Sequence, residues 1–315
     1  MKRFTSAEIK DFTSKANLDE KMILVKDPSW PKISIVTPSY NQGKYIEATI
    51  QSVIGQNYPN LEYIIMDGGS QDNTLDIIKK YENHISYWES KKDNGQASAI
   101  NRGFSIASGE IMAWLNSDDM YLPGTLRLVS GIFSKGQIQN DLRIIFGNCL
   151  HLYEEQFVAR GSNVRYGHEV FNIELCDYII QPSSFWTKKT FDTVGKLRND
   201  LFWGFDWEWF IRAKRRCVIF HPIDDFLSVY RIHSEHKSGS RRIERVHELE
   251  SIYKEYHPER ISRVYVRLGI CNAILAKNKV FRRAKLDRII VLLMSIYYMC
   301  VYGISWSEMN QIRRM

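Results

Sequence analysis

The chain has 315 residues, of which 44% are hydrophobic and 25% charged, and this composition argues against a disordered or fibrous protein. Its 43 basic and 36 acidic residues give a formal net charge of +7, which suits anionic partners such as nucleotide phosphates, an acidic membrane surface or nucleic acid. The five cysteines are scattered without a C-x-x-C pair, so neither a disulfide framework nor a thiolate zinc site is expected. We expect a reducing cytosol, because the polar start at Met1 also lacks the apolar stretch of a signal peptide.

The first half of the chain alternates between strand-like and helix-like patterns. A polar arm over residues 1–30 precedes strand-like runs at 33–37 (ending at Pro38), 63–66, 85–88 and 111–115, and helix-like runs at 45–54, 75–81 and 96–107. Strands that alternate with helices in this way predict an α/β fold with a parallel sheet covered on both faces.

Beyond residue 140 the pattern changes. Short β-like runs come first, at 144–146, 149–153 and 157–159; a helix is predicted over 206–216, strand and loop over 217–230, and a basic helical region from about 240 onward. There is no internal repeat or low-complexity tract in the sequence.

Polar loops follow three of the predicted parallel strands: Pro38–Gly43, Asp67–Thr74 and Asn116–Tyr121. In open α/β sheets, ligands bind where loops leave the carboxyl ends of the strands. An acid such as Asp67 at a strand end suits recognition of a base or ribose, and the glycines after it let a ligand approach the backbone. Asp72, further along that loop, is more simply the cap of the next helix.

Two adjacent acids, Asp118 and Asp119, follow the last of these strands. Neighbouring carboxylates at a buried strand end need a positive partner, and a divalent cation with oxygen ligands, Mg²⁺ or Mn²⁺, supplies one. The same residues could instead cap the helix that begins near Leu122.

Other candidate residues lie further along the chain. Asp206 stands among large aromatic residues at a helix start, where burial raises the proton affinity of a carboxylate and can tune a general base, although it could also be a helix cap. His233 would have a defined role as a metal ligand beside Asp119. Asp93 and Asn101 flank a turn and the start of a helix.

The segment Ile289–Trp306 is almost entirely apolar and is bordered by Arg and Lys on both sides. Its length is close to the threshold for a membrane-spanning helix. Its tyrosines and Trp306 suit a membrane interface, so we expect an interfacial helix rather than a span, and a helix packed on the domain is the alternative.

Five segments in this order resemble family 2 of the glycosyltransferases, which are inverting enzymes with the GT-A fold. They are IVTPSYNQ (35–42), DGGSQDNT (67–74), GEIMAWLNSDD (109–119), DWEWFIR (206–212) and YRIH (230–233). The likeness covers about 33–240 and is nearest to bacterial transferases that build O-antigen, capsule or other surface polysaccharides.

The resemblance implies a division into an arm (1–30), a GT-A domain (31–240) and a helical extension (241–315) that carries the membrane-associating segment 289–306. Within the domain, 31–121 would bind the nucleotide sugar and 122–240 the acceptor.

The resemblance also assigns roles to individual residues. Asp206 would be the catalytic base, and Asp119 and His233 would bind Mn²⁺ or Mg²⁺. The donor, with UDP as the expected nucleotide, would be held by Pro38, Ser39, Tyr40, Asp67, Asp93, Asn101 and Asp118.

Three departures from the family pattern limit these assignments. Gly68 stands where many relatives have a second acid, which affects base recognition; Asn116 replaces the first acid of the metal motif; and Phe205 precedes Asp206 where some members have an acid. The sequence has no Q-x-x-R-W motif, which argues against a processive synthase.

We therefore expect a non-processive transferase at the cytoplasmic face of the membrane, acting on a lipid-linked (polyprenyl-diphosphate) oligosaccharide. Nucleic acid is not an expected partner, because the basic residues cluster beside an apolar segment. The candidate acceptor platforms, which could equally belong to the core, are Trp186, Trp203, Trp207 and Trp209.

Two other functions use the same sequence features. A sugar-nucleotide nucleotidyltransferase would need a basic glycine-rich loop after the first strand, where only Lys44 is present. A catalytically silent scaffold would have no need for Asp119, Asp206 and His233 together.

Overall fold

The computed structural model describes residues 3–4, 27, 29–134, 142–153, 158–234, 237, 243–257, 261, 263–268, 270 and 286–312. Most of the predicted arm (1–30) and the basic residues Arg282, Arg283, Lys285, Arg313 and Arg314 around the apolar segment lie outside these ranges.

The strands are β1 (Arg3–Phe4), β2 (Ile33–Ser39), β3 (Leu61–Asp67), β4 (Tyr87–Ser90), β5 (Ile111–Trp114), β6 (Met120–Tyr121), β7 (Arg143–Tyr153), β8 (Val158–Gly161), β9 (Ser184–Thr187) and β10 (Ile219–Ile232). The helices are α1 (Ile46–Ile54), α2 (Thr74–Lys80), α3 (Gln96–Ile106), α4 (Thr125–Phe133), α5 (Val164–Val170), α6 (Lys188–Val194), α7 (Phe205–Arg215), α8 (Ile243–Tyr256), α9 (Leu286–Tyr302) and α10 (Trp306–Ile312).

All ten strands belong to one mixed sheet, whose main path runs β1-β8-β7-β9-β5-β2-β3-β4. Strands β5, β2, β3 and β4 are parallel to one another, while β9 joins β5 and β7 in antiparallel pairs. Strand β10 runs parallel to β7 and also pairs with β6, which follows the acidic residues Asp118 and Asp119. The expected α/β fold with a mixed, mostly parallel sheet is confirmed.

Each face of the sheet has its own apolar core. Ile35 and Ile65 point to the face covered by α1, α2 and α4, whereas Val36, Ile64 and Trp114 point to the face covered by α3 and α7. This division follows from the alternation of side chains along a strand. Buried on both faces, the central strands are nearly continuous apolar runs, and this is the pattern that made them visible in the sequence.

Strand β2 continues through Pro38 to Ser39, two residues beyond the predicted end at 37. A proline is tolerated here because the pairing of β2 with β5 stops at Val36, so beyond that point β2 has a strand neighbour only on the β3 side. The extension carries Ser39 and the following loop to the edge where the polar loops gather.

Strand β7 is one continuous strand where the sequence suggested two short runs interrupted near residue 147. Gly147 caused that misassignment, and the structure gives its role: a Cβ built there would lie 2.7 Å from Leu227 Cδ1 and 2.8 Å from the Asp225 carbonyl oxygen. The register of β10 against β7 shifts at this same place, so the absence of a side chain lets the irregular part of β10 approach.

A buried ion pair holds α7 in place. Glu208 is fully buried, and its carboxylate accepts hydrogen bonds from Arg212 Nε (2.7 Å), Arg212 Nη2 (2.9 Å) and the Tyr256 hydroxyl (2.6 Å). The contact with Tyr256 attaches α8 to α7, the helix that begins beside Asp206.

Replacing Arg212 with alanine should lower the free energy of unfolding by about 3 kcal/mol, because it leaves the buried Glu208 charge without its cation. The exposed Lys214 on the same helix is the matched control, and its alanine variant should stay within about 0.5 kcal/mol of the wild type. Urea unfolding followed by far-UV circular dichroism measures both. Equal stability of the two variants would show that the Glu208–Arg212 pair does not hold α7.

The apolar C-terminal segment forms α9, a short break at Gly303–Ser305 and the beginning of α10. Of the helices within the described ranges, none combines the length and apolar character that crossing a bilayer would require.

Candidate active site

A cavity of about 930 Å³ opens where β2, β3 and β5 end. Its wall combines the loops after these strands with the start of α3, the turn before α7 and Lys237. The sequence-predicted residues on this wall are Pro38, Ser39, Tyr40, Asp93, Asp118 and Asp206. Those outside the lining are Asp67, Asn101, Asp119 and His233.

Asp67 shapes the loop that follows β3. Its buried carboxylate accepts hydrogen bonds from the backbone N–H groups of Gly69 (3.0 Å) and Ser70 (2.9 Å) and from the hydroxyl of Ser90 (2.6 Å). Gly69 has φ +87°, in the left-handed region that favours glycine. The carboxylate is therefore engaged by its own chain, and the parts of this loop that line the cavity are Gly68, Gly69 and Gln71.

Asp93 lies against Gly68. A Cβ built on Gly68 would be 3.1 Å from Asp93 Oδ2, while Asp93 Oδ1 accepts a hydrogen bond from the Gly95 N–H at 2.8 Å. The glycine that replaces the family's second acid thus leaves room for the Asp93 carboxylate at the cavity wall.

Ser39 and Tyr40 form the other wall of this end of the cavity. The Ser39 side chain is 5% exposed, and among the described residues its hydroxyl oxygen has no hydrogen-bond partner. Buried hydroxyl groups are normally satisfied, so this oxygen is available to a ligand. The Tyr40 ring is 60% exposed beside it, with one face open to a planar group.

The acidic loop presents its two carboxylates differently. Thr49 Oγ1 donates to the carbonyl oxygens of Ser117 (2.9 Å) and Asp119 (2.7 Å) and so fixes the turn. The Asp119 carboxylate is fully buried and accepts hydrogen bonds from the Arg231 backbone N–H (3.1 Å) and from Asn116 Nδ2 (3.3 Å). Burial, reinforced by the charge of Asp118, raises the pKa of Asp119 well above its usual range.

Asp118 faces the cavity and lies beside His233. Asp118 Oδ2 is 3.2 Å from His233 Nε2, and the His233 ring packs on Tyr45 with 4.3 Å between ring centroids. The sequence predicts Asp119 as the ligand next to this histidine, whereas the structure places the Asp118 carboxylate there, with Asp119 one layer deeper.

The Asp118 and His233 side chains fit a divalent cation shared with a diphosphate. Within the described ranges there is no cluster of three or more His, Cys, Asp or Glu side chains arranged to hold a metal by themselves. Mg²⁺ and Mn²⁺ need no such cage, because Mg²⁺ in particular is usually bound by one or two carboxylates together with substrate phosphates and water. The Asp118 carboxylate at the cavity wall, with the His233 imidazole 3.2 Å from it, matches that kind of site.

Asp206 also lines the cavity, in the first turn of α7. Its Oδ1 accepts a hydrogen bond from the Trp207 N–H at 2.8 Å. Burial is the main cause that raises the pKa of Asp206 above its ordinary value. Asp177, whose own pKa is raised well above its usual range by burial and by the charge of Asp206, is the neighbouring acid. A carboxylate with raised proton affinity that lines a cavity can act as a general base.

Three of the four tryptophans proposed as acceptor platforms are core residues: Trp186, Trp207 and Trp209 are at most 1% exposed. Trp203 lines the cavity beside the half-exposed Phe202. Its indole N–H has no partner among the described residues, so it is available to a polar ligand.

Asn101 joins α3 to the loop before α7. Its amide donates to the Leu197 carbonyl (2.8 Å) and to Asn199 Oδ1 (2.9 Å), and its oxygen accepts from the Leu197 N–H (2.9 Å). These bonds fix the relative position of the two halves of the site.

Sequence reasoning missed Asp177, Gln96 as a contact residue, and Lys237. Gln96 Nε2 donates to Asn116 Oδ1 at 2.8 Å, and Lys237 Nζ donates to Gln96 Oε1 at 2.9 Å. Because they are brought together only by the tertiary fold, no spacing rule in the sequence would have found them.

Residues 34–148 match the family described as glycosyl transferase family 2. An uncharacterized glycosyltransferase of Nostoc sp. is 26% identical over 274 residues, which cover 81% of this chain and 82% of the relative. TuaG of Bacillus subtilis, a glycosyltransferase named for teichuronic acid biosynthesis, is 42% identical over 96 residues, or 29% of this chain and 37% of TuaG. The chain spans only about a fifth to two fifths of the length of several other relatives.

Two solved structures share the fold at low sequence identity. S. aureus TarS 1-349 in complex with UDP-GlcNAc has a TM-score of 0.56 at 18% identity and is matched over 79% of this chain and 74% of TarS. The mannosyltransferase PcManGT of Pyrobaculum calidifontis, in complex with GDP-Man and Mn²⁺, has a TM-score of 0.59 at 14% identity, over 97% of this chain and 94% of PcManGT. Residues 34–148 therefore match glycosyl transferase family 2, and the fold that the chain shares with these two structures is of the GT-A type.

Proposed function

We propose that the chain transfers a sugar from a nucleotide-sugar donor, with UDP as the expected nucleotide, to a glycan acceptor, with inversion at the sugar carbon and with the help of Mn²⁺ or Mg²⁺. The observation that carries this proposal is one cavity lined both by Asp118, which lies beside His233, and by Asp206. A scaffold protein would have no reason to keep these residues together.

The donor end would be formed by residues that already line the cavity or shape its wall. The Ser39 hydroxyl and the open face of Tyr40 would contact the nucleoside, with Asp93 opposite. Asp67 would act indirectly, by holding the loop that carries Gly68 and Gly69. Support comes from the two structural neighbours, which were solved with UDP-GlcNAc and with GDP-Man.

Asp118 and His233 would hold the cation, and Asp119 would orient Asp118 from behind through the turn that they share. When bound, the cation would offset the negative charge that develops on the departing nucleoside diphosphate. This assignment moves the carboxylate ligand from the sequence-predicted Asp119 to Asp118, because only Asp118 reaches the cavity.

Asp206 would take the proton from the attacking acceptor hydroxyl group. Asp206 lines the same cavity as Asp118, and attack by this hydroxyl group on the face of the sugar opposite the leaving group would invert the configuration in one displacement. Trp203 and the exposed Phe202 would offer an aromatic surface and one N–H donor to the acceptor sugar.

Isothermal titration calorimetry with UDP and with GDP, each with and without Mn²⁺, tests the donor end. We expect one of the two nucleotides to bind in the presence of Mn²⁺ and to lose most of its affinity in the presence of a chelator. Binding of neither nucleotide would refute the proposed function.

We further propose that the acceptor is a lipid-linked oligosaccharide and that the chain works at the cytoplasmic face of an anionic membrane. Helix α9 packs its buried residues Val291, Ser295 and Tyr298 on the domain. The opposite face is apolar and half-exposed or more exposed at Ile289, Leu293, Ile296, Tyr297, Cys300 and Val301. An apolar stripe of this kind on a helix that the sequence borders with Arg and Lys suits an interfacial helix.

Replacing both Leu293 and Tyr297, which are 61% and 59% exposed, with glutamine should lower binding to phosphatidylserine vesicles at least about fivefold, because two apolar side chains leave the contact. The matched control replaces the exposed Ile219 and Val170 with glutamine, away from α9. Vesicle co-sedimentation measures both. Equal binding by the two double variants would argue against α9 as the membrane contact.

A further inference from the structure

The ammonium group of Lys237 lies over the rings of two aromatic residues that come shortly before Asp206 in the chain, Phe202 and Phe205. Its Nζ lies 3.8 Å from the ring centroid of Phe202 and 5.3 Å from that of Phe205, the residue directly before Asp206. It also donates to Gln96 Oε1 at 2.9 Å and lines the cavity. Two cation–π contacts and one hydrogen bond therefore fix the ammonium group beside the start of α7.

Lys237 is the shielded lysine of the cavity wall. The other two lysines of the described lining, Lys91 and Lys92, are exposed. Burial lowers the pKa of Lys237 to about 8, and the charges of Asp206 and Glu248 oppose that effect. At neutral pH the side chain is therefore still a cation, held where its charge has been partly removed from water.

Glu248 is already engaged by the backbone. Its carboxylate accepts hydrogen bonds from the N–H groups of Phe202 (2.6 Å), Trp203 (2.7 Å) and Gly204 (2.8 Å), so it holds the turn that begins α7. Among the residues that the structure describes, Asp206 forms no ion pair, and its carboxylate accepts a hydrogen bond from one backbone N–H, that of Trp207. Of the two acids that act on Lys237, Asp206 is therefore the one whose charge has less local compensation.

The charged groups near Asp206 have different roles. Asp177, on the segment before β9, keeps its own proton to higher pH, because burial and the charge of Asp206 raise the pKa of Asp177 well above its usual range. Lys237, on the turn after β10, and Arg245, on α8, favour the ionised form of Asp206. Lys237 is the one of these two cations that lines the cavity.

Gln96 links Lys237 to the acidic loop that begins at Asn116. Its amide nitrogen donates to Asn116 Oδ1 at 2.8 Å, and its amide oxygen accepts from Lys237. Asn116 begins the acidic loop that carries Asp118. A continuous path of side chains therefore runs along the cavity wall from the acidic loop to the lysine beside the base.

We propose that Lys237 is a positioning residue for the base: it holds the buried Asp206 carboxylate ionised, and through Gln96 it fixes this part of the site relative to the acidic loop. The inference rests on the proposed function, because it needs Asp206 to be the base. It adds a residue from the turn after β10 to the transfer machinery.

The direct test is a ¹³C NMR titration of the protein labelled at the aspartate carboxyl carbons, with D206N identifying the Asp206 resonance. In K237M the midpoint of Asp206 should move upward by about one pH unit, because an attractive charge is lost. It should stay near the wild-type value in K237R, which keeps the positive charge. An unchanged midpoint in K237M would overturn the inference.

The acid limb of the kcat/KM profile for the donor should move with the NMR midpoint: upward in K237M, and unchanged in K237R. A kinetic limb that stays in place while the midpoint moves would overturn the positioning role. Wild-type protein that neither binds nor turns over nucleotide sugars would refute the proposed function separately, since the NMR midpoints do not depend on activity. Circular dichroism of each variant excludes unfolding as the cause of any shift.

Discussion

Replacing Asp206 with asparagine should lower transferase turnover by about a thousandfold, which is within the range that a general base contributes. Asparagine keeps the size of the side chain but cannot accept the acceptor proton. Donor affinity should stay within about twofold of the wild type, because Asp206 is not among the residues proposed to hold the nucleotide. Steady-state kinetics and calorimetry on the same samples separate the two effects.

The stability of D206N provides the control for folding. Burial raises the pKa of Asp206 above its ordinary value of 3.8, so the folded protein binds a proton there more tightly than the unfolded chain does. Stability due to this group therefore falls as the pH rises from 3.8 through the raised pKa. Asparagine removes that cost, and the free energy of unfolding of D206N at neutral pH should be no lower than that of the wild type. Turnover that survives the substitution would remove Asp206 from the mechanism.

Replacing Asp118 with asparagine should lower metal-dependent turnover by about a hundredfold or more, comparable with the loss of one charge-stabilising group in other active sites. The variant should also bind nucleoside diphosphate more weakly in the presence of Mn²⁺, because the cation loses the carboxylate that faces the cavity beside His233. Calorimetry with and without Mn²⁺ measures the metal-dependent part of the affinity.

Two further variants decide between the adjacent acids. Asp119 is buried, and burial raises its pKa well above the usual range. Its carboxylate oxygens already accept hydrogen bonds from the Arg231 N–H and from Asn116 Nδ2. Because these groups rather than a cation engage Asp119, D119N should lose less metal-dependent affinity than D118N. Asp224, which is exposed and pairs with Arg165, is the distant control, and D224N should behave as the wild type. A larger loss of metal-dependent affinity in D119N than in D118N would show that Asp119, as the sequence predicts, is the metal ligand.

Much of the fold could be predicted because the central strands are buried on both faces. Their apolar runs stand out, and helix α7 begins within one residue of its predicted start. The interrupted pattern in β7 was misleading, because Gly147 resembles a loop signal when its neighbour Leu227, eighty residues later in the chain, is unknown. Pro38 likewise led to a strand end predicted too early, at residue 37. A proline is acceptable inside β2 because the pairing of β2 with β5 stops at Val36.

The candidate site was predictable in its outline and not in its contacts. Polar loops at the ends of parallel strands indicated the edge at which Ser39, Asp93 and Asp118 line the cavity. Spacing alone could not say which of two adjacent acids faces the cavity, because the turn fixed by Thr49 decides it. Lys237 follows a strand in a Ser- and Gly-containing stretch without periodicity, and only the packing against Phe202 and Gln96 gives it a role.

The most direct test of the account is release of nucleoside diphosphate from a panel of UDP- and GDP-sugars, measured with Mn²⁺ and with a chelator, in the presence of polyprenyl-diphosphate-linked sugar acceptors. We predict release from one donor, only with the metal, by the wild type and not by D206N. Release that is equal in D206N or persists with the chelator would contradict the account, as would no release from a donor that the protein binds.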